Sequence, residues 1–269
     1  MDLVYDLGGF NGDDTAYYLL RGYRVICIEA VPAQADAIRN RFANEIASGQ
    51  CIILNVAVGD REGTMPFYTC NFGALSSFDK ARIENAGWIT RELTVQVRTF
   101  DSILLEYGIP KFLKIDIEGA DRHAILPLTR RNAPDFVSFE AGPDDLDLVL
   151  HLYSIGYRRF NLVRQADHAV VKVPPTGSIS YIRWAARQWA RLMLRRYPSA
   201  HRIARGVKDG RIGRILGTAP RSEHIAVSGM MPMEITEGWR EIREFLRTWL
   251  ALASGGVIES SWFDIHAAR

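Results

Sequence analysis

The sequence has few cysteines and no long apolar run. Its 269 residues include three cysteines, Cys27, Cys51 and Cys70, which are widely spaced and contain no C-x-x-C pair. This distribution argues against a disulfide framework and against a cysteine-based zinc site. The amino end shows no basic leader followed by an apolar stretch, and no segment has the length of a membrane-spanning helix. We therefore predict a protein of the cytoplasm.

The chain also carries little net charge, +2, so its overall charge points to no class of partner. The fractions of hydrophobic residues, 48%, and charged residues, 24%, are typical of soluble globular proteins. The length suffices for one α/β domain with an appended segment. We predict three parts: a core of residues 1–173, an insertion or lid of residues 174–234, and a C-terminal helix with a closing strand in residues 235–269.

Short β-branched runs alternate with helical patterns through about residue 165. This alternation predicts an α/β fold with a doubly wound, mostly parallel sheet. The predicted strands are residues 3–7, 24–29, 51–58, 64–69, 93–100, 112–117, 136–140, 157–163 and 261–266. The predicted helices are residues 14–22, 33–48, 102–107, 120–128, 143–155 and 237–252. Asp101 is the predicted N-cap of the helix over residues 102–107.

A glycine-rich turn follows the first predicted strand, in the segment V-Y-D-L-G-G-F-N-G-D-D-T of residues 4–15. In doubly wound sheets the carboxyl ends of the strands bind nucleotide-like ligands, and glycines let the backbone approach them closely. A tight turn with only a structural role is the alternative. The cofactor-binding residues predicted from this turn are Asp6, Gly8, Gly9, Asn11 and Gly12.

Acidic residues around this turn indicate the type of cofactor. The turn lacks the G-x-G-x-x-G spacing of a dinucleotide site, and Asp6, Asp13 and Asp14 would repel a pyrophosphate at the helix N-terminus. They suit a cofactor that carries a cationic sulfonium and an ammonium group. Glu29 ends the second predicted strand, where an acid accepts hydrogen bonds from ribose hydroxyls.

A second charged strand end lies in the segment K-F-L-K-I-D-I-E-G of residues 111–119. Asp116 and Glu118 are two residues apart, so an extended backbone would project them to one side. The next apolar strand, residues 136–140, also ends in an acid, Glu140. If the first, fourth and fifth strands are neighbours, Asp6, Asp116 and Glu140 should line one edge of the sheet.

These motifs resemble those of FkbM-type methyltransferases. The resemblance covers about residues 3–165 and rests on residues 5–14, 28–30 and 57–60 and, as the most diagnostic element, residues 113–121. It implies a Rossmann-like class I methyltransferase that uses S-adenosylmethionine to methylate a hydroxyl of a saccharide or secondary metabolite. It also implies further site residues: Ala30, Ala57 and Asp116 for the cofactor, and Ser76, Ser77 and Glu140 for the acceptor. Residues 174–234 lie outside the pattern.

Methyl transfer from a sulfonium is an in-line displacement that gains from positioning and from removal of the acceptor proton. We predict Asp116 or Glu118 as the general base, with His123 as the alternative and Lys114 orienting or pairing with these carboxylates. A second hypothesis is that Asp116, Glu118 and Glu140 hold a magnesium or calcium ion that acidifies the acceptor hydroxyl.

A basic amphipathic helix is predicted inside the insertion. Arginines recur there every four residues, at Arg183, Arg187, Arg191 and Arg195. Apolar residues fall on the opposite side of the helix. This helix is either a lid with a solvated arginine face or an attachment to an anionic membrane surface or phosphorylated acceptor, which would place the protein at the inner membrane face. No base-reading module is present, so we expect no nucleic-acid partner.

Two other functions compete with methyl transfer. One is a nicotinamide-dependent oxidoreductase on the same sheet, which the acidic turn and its glycine spacing disfavour. The other is a membrane-surface binding module that has lost catalysis. The acids at the strand ends argue against this module, because a site without function has no need of costly buried carboxylates.

Overall fold

The computed structural model describes residues 1–70, 76–85, 90–142, 144–165, 168–171, 186, 231–235, 238–253 and 263–269. Most of the predicted insertion lies outside these residues. The four arginines of its basic helix, Arg183, Arg187, Arg191 and Arg195, also lie outside them. Association with an anionic membrane surface therefore stays a prediction. None of the described helices is both long and apolar enough to cross a membrane.

The centre of the fold is an eight-stranded sheet with the order β11-β10-β12-β9-β8-β1-β2-β3. Its strands are β1 (Leu3–Leu7), β2 (Arg24–Ile28), β3 (Cys51–Leu54), β8 (Phe112–Ile115), β9 (Phe136–Glu140), β10 (Arg159–Arg164), β11 (Arg240–Glu241) and β12 (Phe263–Ala268). Strands β1, β2, β3, β8 and β9 are parallel, whereas β12 runs antiparallel to both β9 and β10. The predicted doubly wound α/β fold is confirmed, and β1, β8 and β9 are neighbours.

A second sheet of four strands, with the order β4-β7-β5-β6, lies beside the carboxyl ends of the first. Its strands are β4 (Ala57–Gly59), β5 (Gly63–Cys70), β6 (Ser76–Ser77) and β7 (Thr90–Thr99). The single strand predicted over residues 51–58 is wrong, because its two halves belong to different sheets. Asn55 explains the break: its Nδ2 donates hydrogen bonds to the carbonyls of Glu29, at 2.9 Å, and Ala30, at 3.0 Å. These bonds replace strand pairing where the chain leaves the large sheet.

The α-helices among the described residues are α1 (Asp13–Leu20), α2 (Pro32–Arg41), α3 (Ala43–Ala47), α4 (Lys80–Asn85), α5 (Phe100–Tyr107), α6 (Arg122–Ile125), α7 (Leu146–Ile155) and α8 (Ile242–Ala253), and a short 3-10 helix spans Pro232–Glu234. The helix predicted over residues 33–48 is divided at Phe42, where φ is −111° and ψ is 32°. Asp101 is not the cap of α5. Thr99 caps this helix instead by accepting a 3.3 Å hydrogen bond from the backbone N–H of Ser102.

Apolar side chains cover both faces of the large sheet. One face packs against α5, α7 and α8, and the other packs against α1 and α2. Helix α8 buries Phe245 and Trp249, whose ring centroids lie 6.3 Å apart. Each such side chain stabilises the fold by about 1.5–3 kcal/mol. All six residues of β12 are buried, the polar Asp264 and His266 included, so both faces of this strand are covered. The predicted closing strand over residues 261–266 is thus present, two residues further along the chain.

Candidate functional site

The glycine-rich turn after β1 is packed tightly against the ends of β2 and β8. Gly8 has a φ of 87°. A β-carbon on Gly8 would lie 1.9 Å from the carbonyl oxygen of Asp116, so only glycine fits there. The N–H groups of Gly8 and Gly9 both donate to the carbonyl of Ile28, at 2.9 and 3.2 Å. The turn therefore fixes the ends of three strands relative to one another.

Three further N–H groups of this turn also have acceptors within the protein. The N–H of Phe10 donates to Glu29 Oε2 at 2.8 Å, and that of Gly12 donates to the Gly9 carbonyl at 2.7 Å. The N–H of Asp13 donates to Asn11 Oδ1 at 3.0 Å. A phosphate-binding loop needs such groups directed at its ligand. These N–H groups are therefore not free to bind a pyrophosphate.

Glu29 follows β2 and is almost fully buried beside the turn. Its Oε1 accepts a hydrogen bond from the N–H of Val31 at 2.8 Å, and its Oε2 accepts the bond from Phe10. Burial raises the pKa of Glu29, while these two bonds act in the opposite direction. Ala30 and Ala57, which the family resemblance assigns to the cofactor, lie nearby in one apolar cluster with Val31. The structure thus brings together the predicted residues of the second strand end and the turn.

Lys114 is buried at the centre of the site and binds several groups. Its Nζ lies 3.1 Å from Asp6 Oδ1, 3.2 Å from Asp14 Oδ2 and 3.2 Å from the Gly8 carbonyl oxygen. Burial opposes the charge of Lys114, but the carboxylates of Asp6 and Asp14 outweigh it and raise the pKa of Lys114 well above its usual range. Asp6 also accepts a 2.6 Å hydrogen bond from Thr15 Oγ1. This ion cluster joins β1, α1 and β8 beneath the turn.

The sheet register corrects the predicted position of Asp6. Asp6 lies opposite Lys114, and Lys114 lies opposite Ser138, so Asp6 lies two residues deeper in the sheet than Asp116 and Glu140. Its side chain has no exposed surface. It therefore does not line the edge of the sheet with the other two acids, because the register places Gly8 there instead. Direct contact between Asp6 and a cofactor stays a prediction.

Asp116 is the first residue beyond β8. Its side chain is 30% exposed, and its Oδ2 lies 3.7 Å from Lys114 Nζ. The premise that Asp116 and Glu118 share one face of an extended strand is wrong. The strand ends at Ile115, and Glu118 adopts a left-handed conformation with a φ of 50°. A hydrogen bond of 3.0 Å from Ser77 Oγ to the Glu118 carbonyl holds this turn.

Asp121 also belongs to this turn, and sequence reasoning gave it no role of its own. Its Oδ2 accepts a 3.2 Å hydrogen bond from the N–H of Gly119. Its Oδ1 is inaccessible and has no hydrogen-bond partner among the described residues. Burial and the neighbouring Asp116 raise the pKa of Asp121 to about 6. His123, the alternative base, lies half-buried on the short helix α6.

Glu140 ends β9, and Asp264 of β12 lies directly opposite it in the sheet. Gln165 Nε2 donates a 2.8 Å hydrogen bond to Asp264 Oδ1, and burial raises the pKa of Asp264 well above its usual range. Sequence reasoning missed Asp264, because it lies more than a hundred residues beyond Glu140 in the chain. Insertion of β12 between β9 and β10 is what brings them together. Of the predicted acceptor residues, Ser77 is buried and Ser76 is half-buried.

The hypothesis of a magnesium or calcium ion at Asp116, Glu118 and Glu140 receives no support. Within the described part of the chain, no three His, Cys, Asp or Glu side chains are grouped so that they could hold a metal ion. The left-handed turn at Glu118 removes the shared face on which the metal hypothesis depended.

Comparison with known proteins assigns the family. The model of the FkbM methyltransferase domain matches residues 6–159, from within β1 to the start of β10. The chain belongs to the FkbM methyltransferase family. The family predicted from the sequence motifs is thus confirmed, and the matched residues include the glycine-rich turn, Glu29 and the segment around Asp116.

Two solved methyltransferase structures are similar to this FkbM family member. An FkbM methyltransferase from Methylobacillus flagellatus KT is 21% identical, with a TM-score of 0.43 over 60% of this chain and 39% of that chain. A precorrin-6y C5,15-methyltransferase from Geobacter metallireducens GS-15 is 14% identical, with a TM-score of 0.35 over 63% of this chain and 72% of that chain. No protein of curated function matches significantly.

Proposed function

We propose that this FkbM family member binds S-adenosylmethionine and transfers its methyl group to a hydroxyl of a saccharide or secondary metabolite. The observation that carries the proposal is the glycine-rich turn. Its N–H groups from Gly8, Gly9, Phe10, Gly12 and Asp13 are bonded within the protein. Five carboxylates lie around the turn: Asp6 and Asp14 pair with Lys114, Asp13 pairs with Arg41, and Glu29 and the partly exposed Asp116 add further negative charge. Such a turn favours a cationic cofactor over a phosphorylated one.

The residues beside the turn fit the parts of this cofactor. Each oxygen of Glu29 accepts one backbone hydrogen bond and keeps a further acceptor site, which suits the two ribose hydroxyls. The carboxylate of Asp116 is partly exposed next to the glycine-rich turn, so its negative charge favours a positively charged ligand. When bound, S-adenosylmethionine supplies an electrophilic methyl group on a sulfonium.

The chain's own residues position the acceptor and take its proton. Asp116 or Glu118 accepts the proton of the acceptor hydroxyl as general base, with His123 as the alternative. Lys114 acts as a positioning residue, because it contacts both the Gly8 carbonyl and the Asp116 carboxylate. Lys114 therefore keeps the cofactor turn and the base in a fixed relation, which matters for an in-line displacement.

Calorimetric titration tests cofactor binding. We expect heat from S-adenosylmethionine and from its product S-adenosylhomocysteine, and none from a nicotinamide dinucleotide. Glu29→Gln should weaken both interactions at least tenfold, because an amide N–H would oppose a backbone N–H. The matched control is Asp36→Asn on α2, whose side chain is 69% exposed. Binding of the dinucleotide alone would favour the oxidoreductase instead, and binding of none of the three would contradict the proposal.

Methyl transfer to a panel of saccharides and hydroxylated metabolites tests the reaction itself. We expect Asp116→Asn combined with Glu118→Gln to abolish transfer while S-adenosylhomocysteine still binds. Full activity of this double variant would exclude both carboxylates as the base and leave His123. Loss of activity on addition of a chelator would contradict the metal-free mechanism.

A further inference from the structure

Phe10 stands out at the tip of the glycine-rich turn. It leaves 40% of its surface exposed and has a φ of 47°, a left-handed conformation that is costly for a residue with a β-carbon. Its N–H donates to Glu29 Oε2 at 2.8 Å, so the carboxylate predicted to bind ribose also holds the backbone of Phe10. Strain of this kind persists where the surrounding structure imposes it, and it occurs often at ligand sites.

The ring of Phe10 also differs from the other aromatic rings of the described residues. Phe10 and Tyr153 are the two among them that leave more than a third of their surface exposed. The guanidinium of Arg158 lies over the Tyr153 ring, 4.8 Å from its centroid. No aromatic ring or cation of the described residues stacks on Phe10 in the same way. An apolar ring face is therefore available at the rim of the cofactor site.

We propose that the Phe10 ring contacts the sulfonium of S-adenosylmethionine and so distinguishes the charged cofactor from its neutral product. The inference rests on the proposed cofactor. The face of an aromatic ring attracts a cation, and the effect grows when the site excludes water. The Asp13 carboxylate already pairs with Arg41 at 2.7 Å, whereas the partly exposed carboxylate of Asp116 favours the same charge over a longer range. The ring adds a short-range contact that a neutral thioether does not gain.

The ratio of two affinities tests this inference. In Phe10→Leu we expect the affinity for S-adenosylmethionine to fall about three- to tenfold, with less than about a twofold change for S-adenosylhomocysteine. Phe10→Tyr, which keeps a ring face, should retain the wild-type ratio. Tyr153→Leu removes an equally exposed ring on α7 and is the matched control that should change neither affinity.

Several results would overturn the inference. An equal loss for both ligands would place the ring against a part that the two share. Unchanged affinities for both would show that the ring contacts neither ligand. If Phe10→Leu does not fold, Phe10→Asn replaces it, because asparagine tolerates the left-handed backbone. If the wild-type protein binds neither ligand, the proposed cofactor itself fails, which separates that outcome from a failure of the Phe10 contact.

Discussion

The Ser77 hydroxyl donates a 3.0 Å hydrogen bond to the carbonyl oxygen of Glu118, 41 residues further along the chain. This bond joins the small sheet to the turn that follows β8. Glu118 is one of the few described residues other than glycine with a positive φ, and the bond holds its backbone in that conformation. The small sheet therefore supports the turn that carries the predicted base.

Ser77→Ala should lower the free energy of unfolding by about 0.5–1.5 kcal/mol, because the Glu118 carbonyl and the N–H of Asp79 both lose a partner. Ser76→Ala is the control, since Ser76 is the adjacent residue of β6 and points to the opposite face of that strand. Urea titration followed by circular dichroism measures both variants. Equal effects of the two substitutions would argue against a specific role for the Ser77 bond.

Gly8→Ala should destabilise the fold by more than Gly22→Ala. Both glycines have a similar positive φ, 87° for Gly8 and 82° for Gly22, so the backbone penalty of about 1–2 kcal/mol is shared. The new β-carbon meets the Asp116 carbonyl in the first variant and open space in the second. We expect a loss on the order of 3–5 kcal/mol for Gly8→Ala. Indistinguishable unfolding midpoints would contradict the tight contact between the turn and β8.

Lys114→Met should cost about 3–5 kcal/mol of folding free energy, because it leaves the buried carboxylates of Asp6 and Asp14 without their cation. Lys111→Met is the control. Lys111 lies just before the same strand, is partly exposed and pairs with Asp2 at the surface. Its loss should cost no more than about 1 kcal/mol. Chemical denaturation at neutral pH compares the two, and a small effect at Lys114 would exclude it as the centre of an ion cluster.

Asp121 should make stability depend on pH. Its pKa in the folded protein is about 6, above the ordinary 3.8, so the folded state takes up a proton before the unfolded chain does. The contribution of Asp121 is therefore complete below about pH 4 and is lost as the pH rises through 6. Asp121→Asn should gain stability relative to the wild type between about pH 4 and 7, as measured by denaturant unfolding across that range.

Asp147→Asn provides the opposite case for this pH series. The hydrogen bond from Arg122 lowers the pKa of Asp147, so its contribution is present at neutral pH and is lost as the pH falls. The Asp147→Asn variant should therefore lose stability relative to the wild type as the pH rises. If the stability difference from the wild type changed with pH in the same direction in both variants, the effect would come from net charge and not from these two sites.

The sequence by itself was enough to predict most of the strands and helices, the glycine-rich turn and the family, but not the short elements β6, α4 and β11. It was also enough to place Glu29, Asp116 and Glu140 near the carboxyl ends of β2, β8 and β9. These features are local, because apolar runs, glycines and charged strand ends are visible within a few residues of chain. The adjacency of β1, β8 and β9 followed from the resemblance to a known fold.

Tertiary structure alone decided which of these residues meet. The register between β1 and β8 moved Asp6 away from the edge and into contact with Lys114, and the turn at Glu118 separated its side chain from the strand face of Asp116. The pairing of β12 with β9 brought Asp264 to Glu140 from the far end of the chain. Pairing partners and register depend on contacts between distant segments, and local sequence patterns do not contain that information.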